Sequence, residues 1–329
     1  MAKAKTPKHE PPKQRNCGTM AVHQKLLERH PEYRIALGNL EMATAARLAA
    51  GAVAIPAQQV MIPVVVHVVF NTKADNVSLA QIKSQIAALN RDYSAANKDK
   101  ANVPAPWKGL VTDTKIRFAL ATKDPNGKPT NGITRSSTKS TSFSDNDEVK
   151  SKATGGADPW PSNKYLNLWV CTLADSLLGY AQFPGGPPAT DGVVILNTAF
   201  GTSGTAKAPF NLGRSATHEV GHWLNLHHIW GDTSDCSGSD FVANTPGAQH
   251  PNFGKPKFPH VSCHNGPNGD MFVNYMDYVD DDTMVMFTDL QVARMQAALE
   301  FSRPQLGQDP EEPVSPTPAP LQRAARRHR

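Results

Sequence analysis

His218-Glu219-Val220-Gly221-His222-Trp223-Leu224-Asn225-Leu226-His227-His228 places histidines and a glutamate at the spacing a catalytic zinc ion requires. Residues four apart on an α-helix lie about one turn above each other, so His218 and His222 present both imidazoles to one point. Glu219 is offset by roughly 100°. It cannot comfortably ligate the same ion, but it can reach a water bound there, which is the position of a general base. Catalytic zinc keeps three protein ligands and an open fourth site, so a third ligand must arrive from another direction. His227 and His228 are the candidates.

A continuing helix would carry either histidine around the cylinder and away from the ion, so the chain must turn sharply after His222. Asn225 stands where that turn is needed, and asparagine is the usual second choice after glycine for a left-handed residue. Downstream, Phe272-Val273-Asn274-Tyr275-Met276-Asp277-Tyr278 puts a methionine in an aromatic-rich segment before a final helix.

Taken together, His218 to Asp232 (HEVGHWLNLHHIWGD), Ser239 to Pro246 (SDFVANTP) and Asn274 to Asp282 (NYMDYVDDD) resemble the pappalysin family of metzincin zinc peptidases. Cys17-Gly18-Thr19-Met20 resembles the pro-segment of that family, so the likeness spans most of residues 17–303. The metzincin motif H-E-x-x-H-x-x-G-x-x-H has glycine where this chain has Asn225, and its offset favours His228 over His227 as third ligand.

The resemblance implies an α/β fold (α+β): a twisted mixed sheet and active-site helix over an irregular C-terminal subdomain, with the active site between them. It implies a zinc endopeptidase in which Glu219 activates a zinc-bound water and Tyr278 hydrogen-bonds the intermediate. Met276 forms a soft floor beneath the histidines. The alternative for Tyr278 is an aromatic packing residue. Gly179, Tyr180 and Ala181 would form a sheet edge on which an extended substrate lies antiparallel, or else an ordinary hairpin. Within Asp280-Asp281-Asp282, Asp282 is favoured for attracting Arg or Lys after the scissile bond; the alternative is a solvated acidic loop.

The family pattern pairs Cys236 with Cys263. It also makes Cys17 a zinc ligand in a latent precursor, where the alternative is a free surface thiol. Asp240 and Thr245 lie where relatives bind calcium, with Asn244 replacing an aspartate common there. A zinc-binding protein without turnover is the runner-up reading, against which Glu219 argues, since a structural site has no use for a base there.

The rest of the 329-residue chain fits this frame. Of its net charge of +5, residues 1–16 carry +4, with five Lys/Arg against one Glu, which reads as a disordered basic tail rather than a nucleic-acid surface. That stretch has no apolar h-region and no segment is long enough to span a membrane, whereas a disulfide implies an oxidising, extracellular location. Residues 17–59 read as a pro-segment, helical but interrupted at His30-Pro31, with a linker at Ala52 to Gln59.

The catalytic domain is expected over 60–303. Ile62 to Phe70, Lys115 to Leu120, Leu166 to Cys171 and Gly192 to Leu196 read as strands, with His67 a satisfied core histidine and Cys171 an inert thiol. Ser78 opens a helix carrying Leu79, Ile82, Ile86, Leu89 and Tyr93 on one face. Residues 122–163 read as loops, and Thr288 with Gln291 as a capping box. The proline-rich residues 304–329 read as a disordered tail.

Overall fold

Val64-Val65-Val66-His67-Val68, buried along its whole length, forms the middle of a strand flanked on both edges. The computed structural model describes residues 12–49 and 58–307. The first eleven residues, most of the linker and the tail from 308 lie outside the described residues. In chain order the elements begin with helices α1 (Thr19–Arg29) and α2 (Pro31–Ala49), strand β1 (Val60–Phe70) and helix α3 (Leu79–Tyr93). Strands β2 (Ile116–Leu120), β3 (Ile133–Ser137), β4 (Leu166–Cys171), β5 (Gly179–Ala181) and β6 (Val193–Leu196) follow. Helix α4 (Arg214–Trp223), the short strands β7 (Phe253–Gly254) and β8 (Tyr278–Val279), and helix α5 (Asp289–Ser302) complete the series.

One edge of β1 pairs with β2 through Val60–Val64 and then with β3 through Val66–Phe70. Its other edge pairs with β4, and the sheet continues through β6 to β5. All pairings are parallel except that of β5 with β6. Parallel strands need both faces covered, which explains the near-continuous apolar runs. Alternation then sorts the side chains. Leu168, Val170, Val193 and Ile195 pack with Ile82, Leu89, Ala216 and Val220 of α3 and α4. Trp169, Cys171, Val194 and Leu196 face the other way, towards Val22, Leu26 and Tyr33.

The expected caps are present: Ser78 Oγ accepts from Gln81 N, and Thr288 and Gln291 form a reciprocal capping box. The break at His30-Pro31 separates α1 from α2, with Pro31 at a first helical position where its missing N–H costs nothing. His67 is satisfied on both sides, by Thr134 Oγ1 at 2.8 Å and Asn167 Oδ1 at 3.0 Å.

Two expectations are corrected. Residues 122–163 are not all loop, because Ile133–Ser137 forms β3. ITRSS has one large apolar residue, and the free edge of β1, rather than its own pattern, makes it a strand. Nor is residue 15 part of a solvated tail: Arg15 is 3% exposed. Its guanidinium is paired with Asp281, 266 positions away, a partner that no local pattern reveals.

Candidate metal centre and cleft

Every residue of α4 is buried, so its histidines face a packed interior rather than water. The helix begins against the Asp281 carboxylate, whose Oδ2 accepts from Leu212 N at 2.8 Å and Arg214 N at 3.3 Å. An acidic group suits that end, where amides lack helical partners. Two residues past the end of the helix, Asn225 turns the chain with a left-handed φ of 70°. Leu226 N donates to Gly221 O and Asn225 N to His222 O, both at 2.9 Å, closing a Schellman turn. The turn brings His228 back beneath the helix.

His222 Nε2 lies 3.2 Å from His218 Nε2 and 3.0 Å from His228 Nε2. Each ring's other nitrogen has an acceptor: His218 Nδ1 faces Tyr275 O at 2.7 Å, His222 Nδ1 faces Leu226 O at 2.7 Å, and His228 Nδ1 faces Asp232 Oδ1 at 2.6 Å. Those acceptors place the ring protons on Nδ1, so three Nε2 lone pairs converge with no proton between them. Burial, followed by neighbouring His228, holds His218 and His222 well below the ordinary imidazole range, keeping both neutral. Three neutral lone pairs at this separation repel one another unless a cation sits among them, so the residues fit a metal ion.

His227 points elsewhere and stacks on Phe183 at 4.8 Å. Met276 lies under the helix at Gly221, where a Cβ would come within 2.5 Å of its sulfur. Gly221 therefore sets how closely the methionine approaches. Tyr278 leans over the histidines, its ring centroid 5.8 Å from His218 and 4.9 Å from His228.

Glu219 is 1% exposed, and burial pushes its carboxyl up to about 7. Its Oε2 accepts from Thr19 Oγ1 at 2.9 Å and from the Cys17 thiol at 3.2 Å. The Cys17 sulfur and the three histidines all offer ligand atoms within 4.8 Å of one another. Cys17 therefore sits at the fourth side of the cluster.

The expected substrate edge is occupied by the chain's own N-terminal segment. Leu178 N donates to Asn16 O and Gly18 N to Gly179 O, both at 2.9 Å, and Ala181 N donates to Thr19 Oγ1 at 2.8 Å. The segment runs parallel to β5, opposite to the direction expected of a substrate. A Cβ on Gly179 would fall 2.7 Å from Val194 O and 2.9 Å from Glu219 Cγ, so only glycine lets β5 pass this close to Glu219. Tyr180 is fully buried beneath Lys150, whose ammonium lies 4.9 Å from its ring centroid.

Asp282, favoured from sequence, points to the surface. Its half-exposed carboxylate pairs with Lys255 at the surface. Asp281, one residue earlier, is buried and accepts from Arg15 Nη2 at 2.7 Å. The remaining sides of that guanidinium reach Ser215 Oγ at 3.1 Å, Val279 O at 3.3 Å and the Phe210 ring at 5.1 Å. Among three consecutive aspartates, sequence cannot say which faces inwards, because that depends on local backbone direction.

Arg15, Thr19, Asp232 and Asp281 were missed as site residues. Only proximity to Cys17, to His228 and to the acidic run could have pointed to them. Thr245 Oγ1 donates to Asp240 Oδ2 at 2.6 Å, and Asn244 Oδ1 is enclosed with no hydrogen-bond partner among the described residues. Cys236 and Cys263 are bonded, and Cys171 is a buried free thiol.

A family model described as pregnancy-associated plasma protein-A, peptidase family M43, matches residues 148–300. An extracellular metalloprotease of Trichophyton verrucosum is 29% identical over 288 residues, 86% of this chain and 89% of that protein. Mature mirolysin of Tannerella forsythia, solved with a cleaved peptide, is 49% identical with a TM-score of 0.75, covering 77% of this chain and 97% of that one. A promirolysin mutant is 44% identical with a TM-score of 0.81, covering 89% and 97%. Fold and site thus define a metzincin-type metalloendopeptidase acting on polypeptides. The chain belongs to the pappalysin family.

Proposed function

We propose that this chain is the latent precursor of a zinc endopeptidase, with His218, His222 and His228 as ligands and Glu219 as the general base. The convergence of three deprotonated Nε2 atoms beside a buried carboxylate carries this reading. When bound there, zinc supplies Lewis acidity, lowering the pKa of water and polarising a carbonyl. Glu219 takes the proton of the attacking water at Oε2 and returns it to the leaving amine. Tyr278 donates from its hydroxyl to the oxygen of the carbonyl under attack. Asp232 holds His228 in the tautomer that leaves Nε2 free. Gly179 and Ala181 offer backbone groups to an extended peptide by β-augmentation.

In the precursor, residues 15–19 fill these positions: Arg15 at Asp281, Cys17 at the ligand cluster and Thr19 at Glu219. A relative with a pro-form, promirolysin, supports this assignment. The Arg15–Asp281 pair supports the reading that Asp281, rather than Asp282, attracts an arginine after the scissile bond of a substrate entering in the opposite chain direction. Asp240, Thr245 and the enclosed Asn244 Oδ1 form the candidate calcium site. The disulfide and the extracellular relatives support action outside the cell.

Intact-mass spectrometry of the zinc-loaded chain over time tests the reading, with and without a chelator and beside Glu219→Ala. The expected result is loss of the N-terminal segment that needs both metal and Glu219, with Glu219→Ala still binding one equivalent of zinc. If the parent chain stays intact and cuts no unfolded protein, even with Cys17 replaced, the reading is wrong.

A further inference from the structure

Arg294 of α5 is almost wholly enclosed, its side chain 2% exposed, yet the carboxylate that satisfies it comes from outside the sheet domain. Glu41 of α2, its side chain 33% exposed, accepts from Arg294 Nη1 at 2.9 Å and Nη2 at 2.7 Å. The same carboxylate accepts from Asn225 Nδ2 at 2.9 Å. Arg294 also donates from Nε and Nη2 to Asn225 O, at 3.3 and 3.2 Å, and its guanidinium lies 5.6 Å from the Phe241 ring centroid. Two donor groups are thus fixed by α5 and by the left-handed turn that delivers His228. Between them they make three hydrogen bonds to one carboxylate.

We propose that Arg294 and Asn225 form a carboxylate receptor on the catalytic body, separate from the metal cluster. Glu41 fills it in the precursor, and this second hold keeps the N-terminal helices on the cleft. The proposal rests on the reading of residues 17–59 as a pro-segment. The packing of α2 shows why a polar hold matters. Of its nineteen residues only Tyr33, Leu40 and Thr44 are buried, and Ile35 and Met42 are each 66% exposed. So little apolar contact leaves the helix weakly anchored by burial alone. A bidentate, charge-assisted contact to an enclosed guanidinium is among the strongest polar interactions available, whereas the more exposed Arg47–Glu300 pair contributes little. Once Glu41 leaves, Asn225 O is the one remaining hydrogen-bond acceptor of Arg294 among the described residues, and Arg294 Nη1 and Asn225 Nδ2 lose theirs, so the receptor keeps its preference for a carboxylate.

Hydrogen exchange of the full chain in the Glu219→Ala background, where no processing intervenes, tests this. Glu41→Gln should speed exchange of the α2 amides by on the order of tenfold, and Arg47→Gln by no more than about twofold. In the chain retaining Glu219, Glu41→Gln should shorten the half-time of self-conversion several-fold. Unchanged α2 exchange in Glu41→Gln would overturn the proposal, as would an equal effect of Arg47→Gln, since any loosening of α2 would then suffice. Failure of the chain to trim itself would count against the proposed function and leave the exchange result to decide the receptor.

Discussion

Thr19 and Asp281 each use polar atoms in two directions, and each use can be tested separately. The Thr19 hydroxyl donates to Glu219 and accepts from Ala181 N, so it ties the Glu219 carboxylate to the sheet edge. Thr19→Val preserves the shape but leaves Ala181 N unpaired and Glu219 Oε2 with the Cys17 thiol alone, at about 1–3 kcal/mol. The unprocessed chain should then convert about tenfold sooner by intact mass. An unchanged half-time would assign Thr19 to packing alone. Asp281 gives Oδ2 to the start of α4 and Oδ1 to the Arg15 guanidinium. Asp281→Asn keeps an acceptor for the helix and removes the charge. Hydrolysis of peptides with arginine after the scissile bond should fall by roughly 10- to 100-fold, with leucine peptides little changed. Ser215, Val279 O and Phe210 surround the remaining faces of the guanidinium, so lysine should serve less well than arginine. Equal rates on arginine, lysine and leucine peptides would remove Asp281 from substrate selection.

At the scale of elements, β1 and α4 were readable from sequence because each carries its own signal. The β-branched, apolar Ile62 to Phe70 run reads as a buried strand, and the four-residue spacing of His218 and His222 suits a helix. Strand β3 carries no such signal and exists because β1 has an edge to fill. The buried His67 on β1 gives this layer a pH dependence. Burial holds its imidazole down to about 4, against an ordinary 6.5. The folded state therefore binds fewer protons than the unfolded chain between those values. This contribution is fully present above about pH 6.5 and is lost as pH falls towards 4, by roughly 3 kcal/mol. Thermal melts of the parent and His67→Gln between pH 7.5 and 4.5 should show a flatter slope in the variant. Parallel slopes would place the acid sensitivity elsewhere.

Across the whole molecule, the irregular half below the cleft depends on covalent closure more than on regular structure. Strands β7 and β8 have two residues each, and the Cys236–Cys263 bond closes a loop with a sequence separation of 27. In the loop-entropy picture, such a closure contributes about 3–4 kcal/mol. Replacing both cysteines by serine should lower the melting temperature by several degrees, and a change below about one degree would mean that packing alone holds the loop. The sequence by itself determined the metal-binding constellation, the turn at Asn225, the apolar strands and the helix caps, because each is fixed by residues within about a dozen positions. Tertiary structure alone decided that Arg15 reaches Asp281 rather than solvent, that Asp281 is buried while Asp282 pairs with Lys255 at the surface, and that Glu41 closes on Arg294 and Asn225. Long-range contacts depend on chain direction and docking over hundreds of residues, and a local side-chain pattern carries no record of either.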